Sequence, residues 1–62
     1  MLKDTIKRIA AEKGITLREV AKESGVPYSA MMEWNYSMPS ALALVKVCSV
    51  LGTTAEKVLE EE

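Results

Sequence analysis

Three glycines set the frame of this chain. Gly14, Gly25 and Gly52 each follow an apolar repeat of helical spacing, so 62 residues are cut into short helices joined by tight turns. Leu2, Ile6, Ile9 and Ala10 mark a first helix over about Leu2 to Lys13. Thr16-Leu17-Arg18-Glu19 is a capping box, in which the Thr16 hydroxyl accepts from the Glu19 amide while the Glu19 carboxylate reaches back to the Thr16 amide. It opens a second helix with Val20 and Ala21 inward, ending at Ser24-Gly25, where glycine suits a left-handed turn. Pro27 opens a third helix, expected to run to about Asn35, because the amide that proline lacks is unpaired at a helix start anyway. Ser37-Met38-Pro39-Ser40 is a loop, and Ser40 caps a fourth helix over about Ala41 to Leu51. Its expected inward set is Ala41, Leu44, Val45, Cys48 and Leu51. Thr53-Thr54 caps a last short helix with Val58 and Leu59 toward the core. The expected fold class is all-α: one compact five-helix domain over residues 1–62.

Size and composition exclude much. A chain this short buries roughly 60% of the surface its unfolded form exposes, leaving one small core and little room for a ligand pocket. With a single cysteine and no histidine there is no disulfide within the chain and no structural zinc site. No apolar run approaches the ~20 residues that span a bilayer, and Met1 to Thr5 lacks the regions of a signal peptide, so a soluble, cytoplasmic protein is expected. Catalysis is not expected either. No histidine can act as a general base, Cys48 falls on the inward face of helix 4, and no glycine-rich loop can cradle a phosphate. No catalytic residue, metal or cofactor is therefore assigned.

The formal charge is −1, and its distribution says more than its sum. Lys3, Lys7, Arg8, Lys13, Arg18 and Lys22 lie in the first two helices and read as solvated faces; only Lys46 and Lys57 follow. From Glu23 to Val45 there is no lysine or arginine. Tyr28, Met32 and Tyr36 recur at i, i+4 and i+8 as an outward stripe, with Ser29 and Glu33 alongside. Met31 points inward, and Trp34 straddles core and edge. Met38 continues the stripe and Leu42 joins it from helix 4. Contiguous exposed apolar residues mark a protein contact, with aromatic rings as rigid anchors and methionine as adaptable filler. Glu33 is then a rim charge or the mate of a partner cation. Were that mate histidine, affinity would fall as pH rises through its pKa.

The segment Gly14-Ile15-Thr16-Leu17-Arg18-Glu19-Val20-Ala21-Lys22-Glu23-Ser24-Gly25-Val26, set among five short helices, resembles the phage-repressor and Cro class of helix-turn-helix domains. The likeness extends through Pro39-Ser40, Leu44, Leu51 and Gly52 and covers essentially the whole chain. It implies a dimeric transcriptional regulator whose third helix enters the major groove. In that role Tyr28 and Ser29 touch base edges or phosphates, and Arg18, Lys22 and Lys46 touch flanking phosphates.

The departures fall where such a domain meets DNA. Leu17 stands where members carry glutamine, and of Pro27, Tyr28, Ser29, Met32 and Glu33 only Ser29 and Glu33 are polar. Trp34-Asn35-Tyr36-Ser37-Met38-Pro39-Ser40 lacks the family's glycine and basic residues, and Leu42 and Ala43 replace polar groups. Such changes look like surface redesign on a borrowed scaffold. The expectation is a protein-binding module, natural or engineered, contacting its partner through Tyr28, Met32, Glu33, Trp34, Tyr36, Met38 and Leu42, with negligible affinity for duplex DNA. Its binding mode resembles that of helical domains that recognise antibody constant regions. Two alternatives stand beside it: the DNA-binding regulator, and a two-fold homodimer closed through the same patch.

Overall fold

The computed structural model describes residues 1–62 as helices and turns with no strand. Five helices follow in order: α1 Leu2–Glu12, α2 Leu17–Ser24, α3 Tyr28–Met31, α4 Ala41–Val50 and α5 Ala55–Glu60. α2 is central, packing against α1, α3 and α4, while α5 closes the far side against α1 and α4.

Local chemistry sets most of the boundaries. The Glu19 amide donates to Thr16 Oγ1 at 3.1 Å and the Thr16 amide to Glu19 Oε1 at 3.1 Å, so the capping box satisfies two otherwise unpaired donors at the start of α2. Gly25 ends α2 at φ +78° with its amide donating to Ala21, a conformation that any Cβ would penalise. Ser40 and Thr54 cap α4 and α5 by accepting from the Ala43 and Lys57 amides at 3.2 Å.

α3 is shorter than its sequence pattern predicts. The expected helix to Asn35 stops at Met31, and residues 32–36 continue as turns. Within them the Glu33 amide donates to Ala30, Trp34 to Met31 and Tyr36 to Glu33, each three residues back, so the backbone is wound more tightly than an α-helix. The reason lies in the core. Met31 and Trp34 are three residues apart and only 1% and 6% exposed, and the tighter winding brings such a pair onto one side. Tyr36 is thereby carried out of line with Tyr28 and Met32.

The core joins Leu2, Ile6, Ile9 and Ala10 of α1 to Val20 and Ala21 of α2, Val26, Met31 and Trp34 of the α3 region, Leu44, Val47, Cys48 and Leu51 of the α4 region, and Val58 of α5. Two expectations are corrected here. Ala41 and Val45 are exposed and Val47 takes the inward place, because Leu44, Val47, Cys48 and Leu51 complete an i, i+3, i+4, i+7 face. In α5 only Val58 is buried, and Leu59 turns outward. No helix is long and apolar enough to cross a membrane.

Candidate functional site

Two depressions meet at the junction of α1, α2 and α3. The larger, about 470 Å³, has an apolar floor of Ala11, Ile15, Leu17, Tyr28 and Met32, with Lys3, Lys7, Thr16 and Arg18 completing its walls. The second follows the turn between α2 and α3 and is lined by Arg18, Ala21, Lys22, Gly25, Val26, Pro27 and Tyr28. No carboxylate lines either one. Arg18 and Tyr28 belong to both and hold each other in place, the guanidinium carbon lying 4.2 Å from the ring centroid. Cation and ring in this arrangement attract by about 0.5–1 kcal/mol at an exposed site.

On the other flank of the same turn, Lys46 of α4 lines a depression with Gly25, Val26, Pro27, Ala30, Trp34 and Leu42. The left-handed Gly25 turns the chain from α2 into α3, with Arg18 and Lys22 lining a depression on one side of the turn and Lys46 one on the other. Glu23 shares a shallow surface with Lys46 but forms no ion pair with it. Of the basic side chains only Arg8 is in a salt bridge, held by Glu12 and Glu61. The Glu61 hydrogen bond, more than any other influence, pushes the Arg8 pKa up. Lys3, Lys7, Arg18, Lys22 and Lys46 form no ion pair.

The residues expected at a contact surface part company. Trp34 is corrected from contact residue to core: at 6% exposure it has almost no surface to offer. Tyr28 and Met32 are half-buried in the groove against α1, and Glu33 and Ser29 are exposed. Tyr36, Met38 and Leu42 are 88%, 69% and 64% exposed, with Leu42 on the α4 flank and the other two outside every depression described above. The single stripe of Tyr28, Met32 and Tyr36 is therefore divided, since it required a continuous helix to residue 36. Arg18 and Lys22 line one depression beside the α2–α3 turn, and Lys46 lines another on its other flank.

Lys3, Lys7 and Ile15 line the groove, although the charge pattern alone assigns them to ordinary solvated helix surface and loop. A signal for them exists in the i, i+4, i+8 spacing of Lys3, Lys7 and Ala11, which puts two cations and a small residue on one face of α1. The thiol chemistry is closed off: Cys48 is buried, and burial pushes its pKa up, away from the nucleophilic thiolate.

The sequence model of the Cro/C1-type helix-turn-helix DNA-binding domain matches residues 5–60. No curated protein and no solved structure matches the chain.

Proposed function

Because the chain belongs to the family of Cro/C1-type helix-turn-helix DNA-binding domains, we propose that it binds duplex DNA as a transcriptional regulator, with α3 set into the major groove and α2 crossing the backbone beside it. The observation that carries the reading is the gathering of Arg18, Lys22 and Lys46 around the α2–α3 turn without an acidic partner. Phosphate neutralisation by such side chains releases counterions and supplies most of the affinity for duplex DNA. Ser29 adds an exposed hydroxyl at the start of α3, and Lys3 and Lys7 extend the basic rim onto α1. The overall charge of −1 does not oppose this, because screening at physiological salt limits each charge to a reach of about 8 Å.

The test is direct. Titrating a fluorescent duplex at about 50 mM salt should give micromolar or tighter binding that weakens by about two powers of ten toward 0.2 M. Absence of binding at the low salt concentration would end the reading.

A second reading, contact with another protein, is favoured by the exposure of Tyr36 and Met38 after α3 and of Leu42 on α4. Val45, also exposed, lies one helical turn beyond Leu42. The partner that fits a regulator is a second copy of the chain, since one self-complementary patch suffices for a two-fold dimer and dimers read paired half-sites. A foreign partner, an antibody constant region among them, would meet the same three residues. Sedimentation equilibrium should find a dimer that Tyr36→Ser, Met38→Ser and Leu42→Ser together dissociate; a monomer at all concentrations would remove the self-association reading.

A further inference from the structure

α3 and the turn after it carry Tyr28, Ser29, Met32 and Glu33 at least partly open to solvent. None of these is an arginine, lysine, asparagine or glutamine, the side chains that grip guanine O6 and N7 or adenine N6 and N7 with two hydrogen bonds. The one side-chain amide in the chain, Asn35, is turned toward α1, its Oδ1 accepting from the Asp4 amide at 3.4 Å. α3 and its turn therefore offer a purine edge no matching fork, and the neighbouring Arg18 of α2 is stacked on Tyr28.

The groups that are present match the other edge of the base pair. The half-buried Tyr28 and Met32 line an apolar groove together with Ile15 and Leu17, a surface suited to the C5 methyl of thymine. Glu33 is exposed, forms no salt bridge and can only accept. Cytosine offers it the N4 amino group as an isolated donor, whereas adenine places the acceptor N7 beside its amino group, where a carboxylate is repelled.

Building on the DNA-binding reading above, we propose that this domain reads the pyrimidine edge of its site: Tyr28 and Met32 recognise thymine methyl groups, and Glu33 accepts from a cytosine amino group. Arg18, stacked on Tyr28 and adjoining the groove, sets the ring while leaving its own N–H groups for a phosphate.

The experiment begins with duplexes that the protein retains from a randomised pool at low salt. In a retained duplex, each thymine is replaced by deoxyuridine, which differs only in lacking the methyl group; in a parallel series each purine is replaced by its 7-deaza analogue, which lacks N7. Deoxyuridine at a contacted position should weaken binding about fourfold, the equilibrium equivalent of one buried carbon, and the 7-deaza series should leave affinity unchanged. Met32→Ala should lose discrimination between thymine and uracil while still binding, and Glu33→Gln should shift the preferred base at one position from cytosine to adenine. Retained duplexes that ignore the loss of every methyl but weaken with 7-deazapurines would overturn the pyrimidine reading and leave DNA binding intact. A pool from which nothing is retained would overturn both.

Discussion

Trp34→Ala should leave most of the protein unfolded or close to it, with a melting transition far below that of the parent in circular dichroism. The indole is 6% exposed and belongs to the hydrophobic core. Deleting a buried aromatic side chain costs roughly 3–5 kcal/mol, because the lost transfer energy is joined by that of the cavity left behind. A domain of this length holds in total roughly 3–9 kcal/mol. Tyr36→Ala, two residues away but 88% exposed, should by contrast move stability by no more than about 0.5 kcal/mol. The pair separates two accounts of the apolar residues in this part of the chain. If Trp34→Ala melted like the parent, the indole would be a surface anchor rather than a core residue, and the tight winding after Met31 would lose its cause.

That contrast marks how far the sequence alone carries the fold. Helix starts at Thr16, Ser40 and Thr54 and the turn at Gly25 were legible because each rests on a hydrogen bond or a backbone preference settled within a few residues. The end of α3 was not, because it is decided by Met31 and Trp34 reaching a core made of residues distant in sequence. Helix α4 is a different failure. Leu42, Ala43, Leu44, Val45, Val47, Cys48 and Val50 leave its apolar pattern almost without a polar side, so the choice of Val47 over Val45 comes from packing against α2 and α5. In the site, Arg18, Lys22 and Lys46 were identifiable singly from the family likeness, but their meeting around Pro27 is a property of the turn. Lys3 and Lys7 join the groove only when α1 is laid against α2 and α3. Helix α3 itself carries no lysine or arginine, and the basic side chains around it belong to α1, α2 and α4.

Replacing Arg18, Lys22 and Lys46 together by alanine should abolish measurable DNA binding at moderate salt while the domain stays folded. Each phosphate contact contributes a slope of about −0.9 in the dependence of log affinity on log salt, which between a 1 M reference and about 50 mM amounts to roughly tenfold. Three contacts then amount to roughly a thousandfold at low salt, and the slope should become shallower by about 2.7. The two measurements are coupled, and their coupling is the test. A purely structural loss would lower affinity at every salt concentration without flattening the slope, whereas lost phosphate contacts bring the variant and the parent together as salt approaches 1 M. Folding should survive because all three side chains are exposed and unpaired, apart from the roughly 0.5–1 kcal/mol of Arg18 stacked on Tyr28. Arg8→Ala removes the same formal charge as one of these substitutions, from a guanidinium already held by Glu12 and Glu61. It should leave the slope unchanged, and an equal flattening by Arg8→Ala would mean that net charge, rather than a built contact surface, governs binding.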